Sequence, residues 1–251
     1  MINGVADSVL AIFIVFCRIG ACLMLMPGFS SVNIPVQVRL FIAIVTSFAL
    51  APLLMATLRP VLVDALPLTL AFLIGSELLI GSIIGIGGRV FFLALQTMAT
   101  AMASGIGLSS IPGTQVGDVD PAPPLVPLIL AGVTILFFIT EQHWQVLRGL
   151  MNSYAMWHPG DRLGGDMGLA QLVSALSEAF VLTLRITSPF VVYSIIVNLA
   201  IGLINKLTPA IPVYFISTPF VLLGGLLLLY LAGDEMLTQF TLGLSSWLEE
   251  R

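Results

Sequence analysis

Apolar residues along this chain run in long blocks that charge interrupts only at their edges. Arg18 and Arg39 enclose 20 uncharged residues, Arg39 and Arg59 enclose 19, and Arg89 and Asp118 enclose 28. Asp120 and Glu141 enclose 20, Arg185 and Lys206 enclose 20, and Lys206 and Asp234 enclose 27. A helix needs about 20 predominantly apolar residues to cross the hydrocarbon core of a bilayer. The pattern therefore predicts an all-α, multi-helix integral membrane protein, with six spans at 8–26, 40–58, 67–88, 125–140, 179–204 and 213–231. Pro27-Gly28, then Arg59, Pro60 and Asp64, then Lys206 with Pro209 and Pro212, mark turns between them.

The third span carries Gly81 and Gly85, a small-xxx-small spacing that lets helix backbones approach closely. Its helical pattern continues to about residue 104, where Gln96, Thr100 and Ser104 make a polar stripe at i, i+4, i+8. The stretch 105–124 is of a different kind. Four glycines and four prolines in 20 residues preclude a regular helix, yet it also carries Ile106, Leu108, Ile111 and Val116. Irregular backbone at membrane depth is tolerated where protein buries it or where it lines a water-filled cavity. Residues 141–166 are the most polar region. Leu169, Leu172, Val173, Leu176 and Phe180 then form one apolar helical face. A last amphipathic segment, 234–251, repeats Leu237, Phe240, Leu244, Trp247 and Leu248 at helical spacing and is expected to lie on a membrane surface or a partner.

Composition sharpens this. Charged residues are 9% of the 251, against about 25% in soluble domains. No polar block is long enough for a separate soluble domain, so 1–251 is expected to be a single membrane domain. Within it, 1–104 forms N-terminal hairpins, 105–124 the irregular loop, and 125–251 C-terminal hairpins with the amphipathic tail. Net charge is −4 with no basic run, which leaves nucleic acid without an electrostatic footprint. Lys and Arg are too few and too scattered to set topology by the positive-inside rule. Cys17 and Cys22, five apart on one helix, read as small core hydrophobes. No Lys or Arg precedes Arg18, so the basic region of a cleavable signal peptide is missing.

Candidate chemistry is sparse. Arg18, Glu77 and Arg185 sit inside apolar segments, with Lys206 at the edge of another. Each buried charge costs about 2.5–3.5 kcal/mol at a helix centre, so each calls for a partner or a wet cavity. Interhelical salt bridges are the first expectation and an ion pathway the second, since Glu77 has no chain of further acids beside it. His143 and His158 lack carboxylates at ligand spacing, and no His-Glu-x-x-His, phosphate-binding loop or nucleophile elbow occurs. Neither an enzyme nor a bound cofactor or metal is expected. A solute transporter centred on Glu77 and the 96–104 stripe is the alternative from another class.

Several runs taken in order resemble one family. They are RIGACLMLMPGF at 18–29, IPVQVRL at 34–40, Pro52, ELLIGSIIG at 77–85, and GLINKLTPAIPVYF at 202–215 followed by Pro219. Over nearly the full length the chain is similar to the FliR/SctT family of type III export-gate proteins, found in flagella and in injectisomes. Departures are Asn205-Lys206 for a common Asn-Arg pair, Gln142-His143 for Gly-His, and IPGTQVG at 111–117 in the central loop. The resemblance implies tilted, Pro/Gly-broken helical hairpins lifted partly out of the bilayer. It implies assembly with FliP and FliQ beside FlhB and FlhA, in the bacterial inner membrane at the flagellar basal body, to pass unfolded export substrates. It also implies that the central loop plugs the closed channel. Here that maps to Ile106, Leu108, Ile111, Pro112, Gln115 and Val116 as seal, with Gly105, Gly107, Gly113 and Gly117 as hinges. A flagellar role is favoured by the 18–29 and 205–215 segments, with an injectisome role the alternative.

Overall fold

The computed structural model describes residues 2–30, 34–62, 66–108, 123–160 and 165–249, with the side chains of 2–7 and 165–167 set aside. The described residues are all-helical: α1 (Ile2–Leu25), α2 (Val36–Leu62), α3 (Pro67–Gly105), α4 (Leu125–Ile139), α5 (Gln142–Met156), α6 (Gly165–Leu207) and α7 (Val213–Glu249). Five helices are long and apolar enough to cross a membrane: α1 over Ser8–Leu25, α2, α3, α6 over Gly168–Leu207, and α7. Helices α4 and α5 pass the same test together as one bent pair, which makes up to six spans.

Two compact units make up the chain. The first comprises Met1–Val90, His143–Ser177 and Trp247–Arg251. In it α2 packs on α1 through one stripe, Ala43, Ser47, Ala51, Leu54, Leu58 and Leu62, at spacings of three and four. Its opposite side leaves Phe41, Phe48 and Leu53 exposed. Small residues at Ala43, Ser47 and Ala51 let the backbones come close, the usual solution where lipid supplies no hydrophobic drive. Leu248 and Trp247 close over Gly149 of α5 and Gly87 of α3 respectively.

The second unit comprises Phe91–Gln142 and Glu178–Ser246. The core stripe of α4, Leu125, Val126, Ile129, Val133 and Phe137, is buried in it. Phe92 and Phe240 meet edge to face with centroids 5.7 Å apart. Helices α6 and α7 run antiparallel: the Tyr193 hydroxyl donates to the Val221 carbonyl at 2.8 Å, while Leu182 packs where a β-carbon of Gly243 would sit.

Four sequence expectations change. The polar region after Glu141 contains a helix, α5, whose inward residues Val146, Leu150, Ser153 and Tyr154 recur at helical spacing, while Trp144, Arg148, Asn152 and Met156 are exposed. The segments 169–180 and 179–204 form one helix. Pro60 lies inside α2 rather than in a turn, while Pro189 lies inside α6 within the expected span 179–204. Proline removes the hydrogen bond to residue i−4, which for Pro189 is the Arg185 carbonyl; the Ser188 hydroxyl donates to that carbonyl instead, at 2.7 Å. The apolar face of 234–251 is not free for a membrane surface or partner, because Phe240, Leu244, Trp247 and Leu248 are buried inside the chain itself.

Candidate functional site

Two places hold the residues singled out by sequence. The first lies at the centre of the first unit. A β-carbon on Gly81 would overlap the Arg18 carbonyl, one on Gly85 would fall 2.7 Å from the Cys22 carbonyl oxygen, and one on Gly88 would overlap the Met26 sulfur. Helices α1 and α3 therefore run side by side in the same direction at near backbone contact. Glu77, one turn before Gly81, is carried against Arg18. Both side chains are fully buried.

Arg18 Nε donates to Glu77 Oε2 at 2.6 Å and Arg18 Nη2 to Glu77 Oε1 at 2.8 Å, the bidentate fork that suits guanidinium and carboxylate. Helix α5 completes the shell. Arg18 Nη1 donates to Ser153 Oγ at 3.0 Å and Nη2 to the Trp157 carbonyl at 3.2 Å. Arg18 Cζ stands 3.7 Å over the centre of the Tyr154 ring. The Trp157 amide in turn donates to the Ser153 carbonyl at 2.8 Å, so Arg18 caps the last turn of α5, where a cation complements the helix dipole. Each Arg18 nitrogen thus has an acceptor, and one residue ties α1, α3 and α5 together. Sequence reading found Arg18 and Glu77 through their isolation in apolar runs. It missed Ser153, Tyr154 and the Trp157 carbonyl because they lie in the region read as polar.

The second place is the C-terminal end of α3, in the second unit. Gly105 ends the helix and Gly107 stands at φ +84°, the left-handed conformation that stops a helix at little cost in glycine. Ile106 between them is fully buried, and a β-carbon on Gly225 of α7 would overlap it. A β-carbon on Gly105 would come 2.9 Å from the Ser194 Cβ and Oγ of α6. Leu108 is half-buried. Ile111, Pro112, Gly113, Gln115, Val116 and Gly117 lie outside the described residues. The hydroxyls of Thr100 and Ser104 return to the carbonyls of Gln96 and Thr100 at 2.8 and 2.9 Å, so that stripe satisfies itself along its own helix.

Arg185 and Lys206 join neither place: both are exposed on α6. The structure pairs Arg18 with Glu77.

The fold is that of a multi-span helical membrane protein with a fully buried Arg18–Glu77 ion pair in its first unit. The profile of the family described as Bacterial export proteins, family 1, matches residues 9–246, and the chain belongs to that family. It is 29% identical over 223 residues to the "Flagellar biosynthetic protein FliR" of Caulobacter vibrioides, covering 87% of this chain and 86% of that one. It is 28% identical over 218 residues to the Escherichia coli protein of the same name, covering 84% and 80%, and 24% identical over 226 residues to that of Bacillus subtilis, covering 86% and 83%.

Proposed function

We propose that this chain is a core subunit of the flagellar type III protein export gate in the bacterial inner membrane. The observation that carries this reading is the breadth of the likeness: the family spans 9–246, and relatives named for flagellar biosynthesis align over more than four-fifths of the chain. The chain acts as a transport component rather than as an enzyme. With FliP and FliQ, and beside FlhB and FlhA, it forms the channel through which unfolded flagellar proteins leave. The three segments 1–104, 105–124 and 125–251 work as one membrane domain. The loop that begins at Ile106 closes the resting channel, with Leu108, Ile111, Pro112, Gln115 and Val116 in the seal. Gly105, Gly107, Gly113 and Gly117 give it room to move. Energy comes from other components.

The test is a pull-down of a tagged copy from detergent-solubilised native membranes, with the accompanying proteins identified. Recovery of FliP- and FliQ-like membrane proteins in one complex is the expected result. Their injectisome counterparts in their place would move the assignment to a virulence apparatus. A chain that purifies alone would overturn the gate reading and send the protein to solute-transport assays.

A further inference from the structure

Three pairs of consecutive residues meet in the second unit: Gly105-Ile106 at the end of α3, Tyr193-Ser194 in α6 and Gly224-Gly225 in α7. At every one of these contacts a glycine faces a side chain. A β-carbon on Gly225 would overlap Ile106, one on Gly224 would overlap the Tyr193 hydroxyl, and one on Gly105 would come 2.9 Å from Ser194. Two adjacent glycines weaken the interior of a helix, and in α7 they open the notch that Ile106 and Tyr193 fill. Ile106 and Gly225 are buried there, and Tyr193 is half-buried.

Hydrogen bonds hold the walls of this notch. The Tyr193 hydroxyl crosses from α6 to α7 and donates to the Val221 carbonyl at 2.8 Å, one turn before Gly225. Asn198 Nδ2 donates to the Ser194 carbonyl at 2.8 Å and to its hydroxyl at 3.2 Å, which orients the side chain that Gly105 meets. On the α3 side the Ile106 amide donates to the Met102 carbonyl at 3.1 Å, and the Gly107 amide to the Ser104 carbonyl at 3.2 Å. Ile106 is thus the last residue that α3 carries before Gly107, at φ +84°, turns the chain away. How the chain leaves α3 depends on how deeply Ile106 sits. That depth depends in turn on the spacing of α6 and α7, which the Tyr193 bond fixes at this level.

We propose that Tyr193 and the Gly224-Gly225 notch are positioning residues for the loop that begins at Ile106. Tyr193 holds the α6–α7 hairpin at the spacing at which Gly225 seats Ile106, and the seated root keeps the loop in its closing position. The inference rests on the reading of that loop as the closure of the channel, and adds the part of the chain that holds it. A contact that only joined helices could lie anywhere along α3. This one lies at the last residue before the left-handed glycine, so a displacement of the hairpin passes directly to the root of the loop. Removing the Tyr193 hydroxyl, or filling the notch, frees that root while every loop residue stays in place.

The test measures ion conductance in planar bilayers, using the full chain purified with the subunits that accompany it. Tyr193→Phe keeps the ring and loses one hydrogen bond that the closed arrangement holds, so the open fraction should rise about fivefold. Gly225→Ala should raise it further. Gly233→Ala should leave it unchanged, because a β-carbon there comes no closer than 4.0 Å to Leu229 of its own helix. If Gly225→Ala does not assemble, Tyr193→Phe decides. Parent-like conductance in Tyr193→Phe would overturn the proposal. Deletion of residues 110–116 is measured alongside. A leak in the deletion with tight Tyr193→Phe and Gly225→Ala gates would mean that the loop closes without this seat. A tight deletion variant would remove the closure reading itself, and the seat with it.

Discussion

Gly81 of α3 packs directly on the backbone of Arg18 of α1, with no space between them for even a methyl group. This contact fixes where Glu77 stands, and hence whether the Arg18 charge is matched. Gly81→Ala should therefore do more than add a methyl. Over-packing a tight contact costs about 1–3 kcal/mol, and parting α1 from α3 also stretches the Arg18–Glu77 fork. Loss of thermal stability in detergent is the readout, with Gly75→Ala as control, since a β-carbon there meets nothing within 4 Å. Equal losses for the two variants would show that the close approach does not matter.

The ion pair itself makes a sharper prediction. Removing one partner of a buried pair costs about 3–5 kcal/mol because a bare charge remains, whereas replacing both by apolar residues of similar volume is often close to neutral. Arg18→Met and Glu77→Leu should each strongly lower the yield of folded protein, and the double variant should recover most of it. Ser153 and the Trp157 carbonyl lose their donor in the double variant, so recovery should stop short of the parent. A double variant no better than Arg18→Met alone would mean that the pair serves something other than packing. Arg185→Met, on an exposed residue, should leave folding yield nearly unchanged.

The contrast between Arg18 and Arg185 also shows how far sequence carries. Both are lone cations in apolar runs, and sequence ranks them alike. Only the fold puts a carboxylate beside one and open surface around the other. The Gly81–Gly85 spacing announced a close helix contact, and the structure supplies its partner, α1. Helix α5 was hidden because its outward residues, among them Gln145, Arg148 and Asn152, outweigh its buried face in any hydropathy reading. Pro189 falls within the expected span 179–204 and does not break α6, where the Ser188 hydroxyl takes up the Arg185 carbonyl. The buried tail was misplaced because an amphipathic face records only that something covers it. Here the cover is the chain's own α3 and α5, through Gly87 and Gly149.

Ile106 separates anchoring from sealing. It is fully buried against Gly225, whereas Leu108 two residues on is half-buried. Ile106→Ala should cost about 2–5 kcal/mol through the cavity it leaves, and Leu108→Ala clearly less. If the loop seals the gate, deleting residues 110–116 should raise ion conductance with little effect on stability. Ile106→Ala should raise conductance together with a loss of stability, because it frees the root of the loop. Conductance unchanged in both variants would remove the plug from the mechanism while leaving the anchor intact.

The turn between α4 and α5 offers a gain rather than a loss. Glu141 stands at φ +58°, left-handed backbone that is unusual for a residue with a side chain. It follows Thr140, whose amide donates to the Leu136 carbonyl at 2.8 Å, while its own amide donates to the Phe138 carbonyl at 3.2 Å. These bonds close the last turn of α4 and place Glu141 where helices most often carry glycine. Glu141→Gly removes the strain but loosens the unfolded chain, so the net change should be small and favourable, up to about 1 kcal/mol. Glu141→Val should be destabilising by more, because a β-branched residue is a true outlier in that region. Melting midpoints of the three proteins in one detergent decide the matter, with the order glycine, parent, valine expected. A valine variant as stable as the parent would mean that the turn adopts another conformation in the membrane.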